Sequence, residues 1–382
     1  MNIRDMKPVK VAVVGCGRIS DIYFENLTKR FKIVEVVKCC SATGISAERK
    51  AQQYGITSCT FEEILEDPEI EIVVNLTPTP EHKEIIRRSL EAGTHVFTEK
   101  VITPTTEEAL ELVALAKEKG RYFCSSPEHF MGSAWQCARE LIDKGMIGQV
   151  TSVHATTTSN IGSFADIFDF LNQPGGGTGF DYGIYLMTVM VSLLGPITEV
   201  CGMVRTQFPE RVHRQIMHPN FGETYIYPNE DSLMGNLQFA SGAVGTFHMN
   251  ANTVMPLPHE FMIYGTEGAL SLPNPGTFSG DVKLYRPGNP EPVLVPPAHG
   301  LPHDSRGVAV AEMAWAIRMG RPARTDATLG THCLEVLNGL KASSETGTYY
   351  HLTTQCQRPD PLPSGYLNIP PITFLEEGAI VF

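Results

Sequence analysis

From Val9 to Ser126 the chain alternates between short apolar runs and stretches of helical period. "VKVAVVG" has the composition of a buried strand, and "ISDIYFENLTKRF" that of a helix. Further strands are expected at "KIVEVVKCC", "EIEIVVNLTP", "THVFTEK" and "RYFCSS". Between them lie the helical stretches "SAERKAQQYG", "TFEEILED" (Thr60 as cap, Glu63 three residues on), "PEHKEIIRRSLEAG" and "PTTEEALELVALAKEKG". Strands that are apolar throughout must be covered on both faces, and an intervening helix makes neighbouring strands parallel. Right-handed crossovers then give a doubly wound parallel sheet.

Beyond residue 126 the period changes. After one more helix, "SAWQCARELIDKG", come alternating or β-branched strands: "QVTSVHATTTS", "ITEVCGMVRTQ", "SLMGNLQFASGAVGTFHMNA", "HEFMIYGTEGALSL" and "DVKLYRPG". "FASGAVG" and "YGTEGAL" carry hairpin turns, so the second sheet should be mostly antiparallel. Helical "DYGIYLMTVMVSLLG" and "RGVAVAEMAWAIRMG" interrupt it. The expected organisation is therefore an α/β domain over 1–126 and an α+β domain over 127–382. The tail "PSGYLNIPPITFLEEGAIVF" has the character of a docked segment or an interface piece.

A net charge of -12 argues against a nucleic-acid binder, which needs a basic footprint. Nine cysteines without a CxxC repeat argue against a zinc cage and for reduced thiols in a cytoplasm. His, Asp and Glu do not cluster at metal spacing, so no metal is expected. No apolar run reaches membrane-spanning length, and the N-terminus lacks the apolar core of a signal peptide.

The chemistry-bearing positions lie where strands hand over to helices. In "GCGRIS", Gly15 can make a tight turn and Gly17 can let backbone approach a pyrophosphate, with Arg18 and Ile19 leading into a helix N-terminus. Ser20 stands where a third glycine is usual and is small enough to pack. The plain alternative, a glycine turn in any parallel sheet, is outweighed by the β-α context. The second strand ends without the acid that grips an adenosine ribose. Ser41 and Thr43 could bond a 2′-phosphate that Lys38 or Arg49 neutralises, which favours NADP over NAD. The alternative is NAD held by backbone. Thr77, Pro78 and His82 follow the next long strand and are placed to wall the nicotinamide, or His82 merely packs a helix start. Glu99 and Lys100 end the strand after that: Lys100 faces a cofactor or is a surface lysine. In "GGGTGFDYGIYLMTVMVSLLG", Asp181 and Tyr185 share one face of a helix that is otherwise apolar and hence buried. They face substrate, or serve as a cap and a core aromatic. His332, inside an apolar helix, is expected to be a satisfied core histidine.

In their order and spacing, "VAVVGCGRIS", "TPTPEH", "THVFTEK", "GGGTGFDYGIY" and "RGVAVAEMAWAIRMGRPART" closely resemble the Gfo/Idh/MocA oxidoreductases over nearly the whole chain. The resemblance implies a Rossmann domain binding NAD or NADP, an antiparallel sheet used for oligomerisation, and a sugar, cyclitol or related polyol as substrate. The family's "EKP" lysine maps to Lys100, beside Glu99. Its "D-x-G-x-H" element maps to Asp181, Gly183 and Tyr185, with tyrosine for histidine as in the glucose–fructose and dihydrodiol branches. Val101 replaces a common proline, and His129 stands where an arginine is frequent. The expected chemistry is hydride transfer from a secondary alcohol, with Tyr185 as base, Lys100 as its charge partner and Asp181 gripping a neighbouring hydroxyl. Asn160, His248, Asn250 and His303 are offered as second-domain contacts, with His129 and Arg306 foremost. Two other readings remain: redox-neutral glycoside cleavage or epimerisation through transient oxidation, and a non-catalytic dinucleotide or sugar sensor.

Overall fold

The computed structural model describes residues 7–161, 165, 167–253, 259–298 and 300–363. The tail beyond 363 therefore lies outside the described residues. In the first domain, six strands are β1 (Val9–Val14), β2 (Val34–Cys40), β3 (Thr57–Ser58), β4 (Ile72–Asn75), β5 (His95–Thr98) and β6 (Phe123–Ser125). All pair in parallel, in the order β3-β2-β1-β4-β5-β6. The order reverses between β1 and β4, and it is outside the carboxyl ends of such a pair that ligands bind. Helices α1 (Ser20–Lys29), α2 (Ile45–Tyr54), α3 (Phe61–Leu65), α4 (Thr79–Glu91) and α5 (Thr106–Lys119) connect them. Thr60 and Glu63 form the expected capping box at α3. β1 and β4 carry almost unbroken apolar side chains because both faces are covered.

The second half opens with α6 (Ser133–Asp143) and β7 (Val150–Thr158). After α7 (Ile184–Leu194) come β8 (Ile197–Arg205), the small ribbon β9 (Glu210–Val212) and β10 (Thr224–Ile226), then β11 (Ser232–Phe239) and β12 (Val244–Asn250). They are followed by β13 (Glu260–Gly265), β14 (Ala269–Ser271), β15 (Val282–Tyr285) and β16 (Val293–Val295). With β17 (Tyr350–His351) they build one nine-stranded sheet, the ribbon excepted. Its pairs are antiparallel save β7 with β12. Both expected hairpins form, at 239–244 and 265–269.

One element does more than the sequence expectation. Helix α8 (Val308–Met319), expected to interrupt the second sheet, also packs back on the nucleotide domain. Its Ala-rich surface permits close approach, and Arg318 at its end grips Glu71 at 2.6 and 2.7 Å. Helix α9 (Ala327–Thr346) is the long apolar helix that holds His332. His332 is fully buried, accepting from Ile197 N–H at 3.0 Å and bonding the Thr354 hydroxyl at 2.9 Å, as a satisfied core histidine does. One continuous apolar core runs through both halves, so the boundary at 126 is a crossing of the chain rather than a gap in packing.

Candidate active site

The β1–α1 turn forms the floor. Gly15 sits at φ +99°, and a Cβ there would lie 2.7 Å from the Leu76 carbonyl carbon. The exits of β1 and β4 touch at this point, so only glycine fits. A Cβ on Gly17 would meet nothing within 4 Å. Gly17 thus borders open space in front of the α1 N-terminus, room of the kind a pyrophosphate needs. Ser20 is fully buried and donates to Gly17 O at 2.6 Å, so the missing third glycine costs no packing. This cradle fits a dinucleotide.

At the adenosine end no carboxylate follows β2. Ser41 Oγ accepts the Ala47 N–H at 3.2 Å and so steadies the start of α2, while Thr43 and Arg49 are exposed. Lys38 does not turn toward this edge. Its ammonium is committed to Asp67 at 2.7 Å and Glu63 O at 3.3 Å.

After β4, Asn75 Oδ1 accepts both the N–H (3.2 Å) and the hydroxyl (2.6 Å) of Thr77, and Pro78 is exposed at the start of α4. His82 corrects an expectation. It is fully buried, with its ring nitrogens 2.8 Å from Thr77 O and 2.7 Å from Val101 O, so it cannot wall a nicotinamide. It braces the segment that carries Lys100. Glu99 likewise turns inward, accepting from Tyr23 hydroxyl at 2.7 Å, Ser126 hydroxyl at 2.9 Å and Lys100 N–H at 2.9 Å. These bonds make Glu99 an anchor of the segment that carries Lys100. The Lys100–Val101 peptide bond is cis.

Lys100 turns the other way. Its Nζ donates to Asp181 O at 2.8 Å and Asp181 Oδ1 at 2.5 Å, and lies 5.6 Å from the Tyr185 ring centroid. Burial alone would lower the ammonium's pKa. The charges of Asp181, Tyr185 and Glu99 outweigh that and raise it above its ordinary value, so Lys100 is a fixed cation. Asp181 stands in a widely wound turn, Gly179–Gly183, that precedes α7. Buried Glu230 holds this turn through Gly179 N–H at 3.1 Å, and a Cβ on Gly177 would strike Glu230 Oε1 at 2.0 Å. That contact favours glycine at position 177.

Tyr185 is buried, which pushes its phenol up. Lys100 pulls it down, Glu99 pushes up again and Arg306 pulls down, and the net is above the ordinary value. Arg306 approaches from a loop lashed to α1, where Asn26 Nδ2 donates to Arg306 O at 2.9 Å and Arg30 to Ser305 Oγ at 3.1 Å. Its guanidinium pairs with Asp304, and its charge acts on the Tyr185 phenol. His129 lies beside the phenol. Its ring is 1% exposed, 4.7 Å edge-on from Tyr185 and 4.3 Å from Phe278, with neither nitrogen partnered. It packs edge-on against Tyr185. Behind it, burial and then the Glu99 charge push the Glu128 carboxyl up to about 8, and Glu128 Oε1 accepts Gly307 N–H at 2.8 Å. Among the described residues, no bond or ring contact joins Asn160, His248, Asn250 or His303 to Lys100 or Tyr185. Sequence reasoning missed Phe170, whose ring centroid is 5.8 Å from Lys100 Nζ. The signal was the aromatic run "FADIFDF" before the glycines. No group of three His, Cys, Asp or Glu among the described residues is placed to hold a metal ion.

The structure thus holds a dinucleotide cradle at the sheet's switch point and, past the end of β5, a fixed ammonium next to a buried phenol. The model of the oxidoreductase family with NAD-binding Rossmann fold matches residues 9–126, and that of the GFO/IDH/MocA C-terminal domain matches 135–271. The chain belongs to the Gfo/Idh/MocA oxidoreductases. An uncharacterized oxidoreductase of Schizosaccharomyces pombe is 30% identical over 53% of this chain and 56% of its own, so the match spans little over half that relative. The scyllo-inositol 2-dehydrogenase (NAD(+)) of Bacillus subtilis is 28% identical over 69% of this chain and 73% of its own. The trans-1,2-dihydrobenzene-1,2-diol dehydrogenase of Mus musculus is 26% identical over 74% and 80%. Levoglucosan dehydrogenase in complex with NADH shares the fold, with a TM-score of 0.79 at 19% identity over 91% of this chain and 100% of that one. No described helix is long and apolar enough to cross a membrane.

Proposed function

We propose that the protein oxidises a secondary alcohol of a sugar, glycoside or cyclitol, reversibly, with NAD or NADP. The observation that carries this reading is the Lys100 ammonium, held by Asp181 at 2.5 Å and set 5.6 Å from the Tyr185 ring. A bound nicotinamide supplies the hydride acceptor at C4. Lys100 bonds the reacting oxygen and offsets the charge that grows on it as its proton leaves. Tyr185 receives that proton, its phenolate favoured by Lys100 and Arg306. Asp181, one oxygen on Lys100, presents the rest of its carboxylate to an adjacent hydroxyl. At the adenosine end the lack of an acid supports use of NADP, with Ser41, Thr43 and Arg49 at that edge. Activity therefore needs to be assayed with both nucleotides.

The sign of the pH dependence follows from the phenol. Tyr185 acts as base only when ionised, and its pKa lies above the ordinary ~10. Oxidation kcat/KM should then climb from neutrality upward, about tenfold per pH unit while the phenolate is scarce. Tyr185→Phe should lower kcat about 10²–10⁴-fold and flatten the profile, with nucleotide affinity retained. A Tyr185→Phe enzyme with the wild-type profile would remove Tyr185 from this role.

We also propose that a second copy packs on the open face of the nine-stranded sheet. Val244, Tyr264 and Tyr285 share one cross-strand row there, and Met203 and Met234 another, all exposed. Light scattering at micromolar concentration should give a multiple of the chain mass. A monomer would count against this surface.

A further inference from the structure

The turn holding Phe168 and Phe170 brings two aromatic rings against cations of the nucleotide domain. Lys100 Nζ is 5.8 Å from the Phe170 centroid, and the Arg18 guanidinium is 5.4 Å from that of Phe168. The rings themselves are 5.9 Å apart. The backbone beneath them is fixed. Asn229 Nδ2 donates to Leu171 O and to Gln173 O, both at 2.8 Å, and Gln173 N–H donates to Phe170 O at 3.1 Å. Gly176 lets this turn close, since a Cβ there would lie 2.2 Å from Phe170 O. The Phe170 ring is only half-buried. A substrate oxygen bonded to Lys100 would sit roughly 2.8 Å from Nζ, which puts a substrate held there within reach of this ring.

We propose that Phe170 is a specificity-determining platform selecting ring-shaped polyols, whose C–H-lined face stacks on it while a ring hydroxyl meets Lys100 and Tyr185. The inference rests on the oxidoreductase reading above and deepens it. The face of a phenyl ring is electron-rich and favours polarised C–H groups. A six-membered ring with all hydroxyls equatorial offers axial C–H bonds on both faces. An axial hydroxyl on the face turned to Phe170 would press an oxygen on the phenyl ring without a hydrogen-bond partner. An open-chain polyol lacks a face and loses rotamer freedom on binding.

The test compares KM and kcat, with NAD and with NADP, for wild type, Phe170→Ala and Phe170→Trp. The probes are scyllo-inositol and methyl β-D-glucopyranoside (equatorial), methyl β-D-galactopyranoside (one axial hydroxyl) and sorbitol (open chain). The wild type should prefer the equatorial rings. Phe170→Ala should raise their KM about three- to tenfold, with kcat within about twofold and with little change for the other two probes. Phe170→Trp should restore the preference. Reduced-nicotinamide fluorescence checks that each variant still binds nucleotide. If Phe170→Ala does not, Phe170→Leu, which keeps bulk without a π face, reads the same KM shift. An equal KM change on all four probes, or wild-type preference for sorbitol, overturns the platform while leaving the oxidoreductase reading intact. A wild type that oxidises no polyol overturns both.

Discussion

Lys100→Ala should lower kcat for alcohol oxidation by about 10³-fold, an effect on the scale expected of Tyr185→Phe. Two losses combine. The reacting oxygen loses its donor, and the Tyr185 phenolate loses the cation that favours it most. Asp181 is then left with a carboxylate whose 2.5 Å partner is gone. Nucleotide affinity should change little, because the Gly15–Gly17 cradle and the α1 N-terminus are untouched. Steady-state kinetics beside a fluorescence titration of the reduced nucleotide separates these effects. Lys100→Arg keeps the charge but not the compact ammonium, and should recover only part of the loss. Retained turnover in Lys100→Ala would mean that some other group carries the charge.

Gly15→Ala should be the most damaging change to the cofactor site. The residue sits at φ +99°, where an L side chain is strained, and its Cβ would lie 2.7–2.8 Å from three backbone atoms of Leu76 and Thr77. Strain and overlap together cost about 3 kcal/mol. Because those atoms belong to the exit of β4, relief moves the β1 and β4 ends apart, where the nucleotide binds. Thermal melts with and without nucleotide should show a lowered midpoint and the loss of most of the ligand-induced shift. Gly44→Ala serves as a control. It also has a positive φ (+76°), but a Cβ there meets nothing within 4 Å, so only strain is added. Equal behaviour of the two variants would mean that the contact with Leu76 is unimportant.

The parallel sheet was legible because periodicity reports burial directly: β1 and β4 are apolar on both faces, and only a covered strand tolerates that. Lys100, Asp181 and Tyr185 could be singled out because charge and phenol at the edge of buried elements demand partners. That Asp181 is the partner of Lys100 could not be read, since the two are far apart in sequence and meet through tertiary packing. Burial of His82 and His129 was equally hidden. Both sit in polar-looking local sequence, "TPTPEH" and "PEHF", yet one is enclosed between two backbone carbonyls and the other packs edge-on against Tyr185. Lys38 misled because strand alternation fixes a side chain's face, but not the loop that meets it, and Asp67 arrives from beyond α3. Phe170 was passed over because aromatic residues before a glycine run look like ordinary core.

The most direct test of the account is the stoichiometry of reduced nicotinamide, followed by its near-ultraviolet absorbance, when purified protein meets a cyclic polyol with NAD or NADP. The account predicts one reduced nicotinamide for each alcohol consumed by the wild type, and almost none from a Lys100→Ala, Tyr185→Phe double variant that still binds nucleotide. Substrate consumed without accumulation of reduced nicotinamide, or undiminished turnover by that double variant, would contradict it.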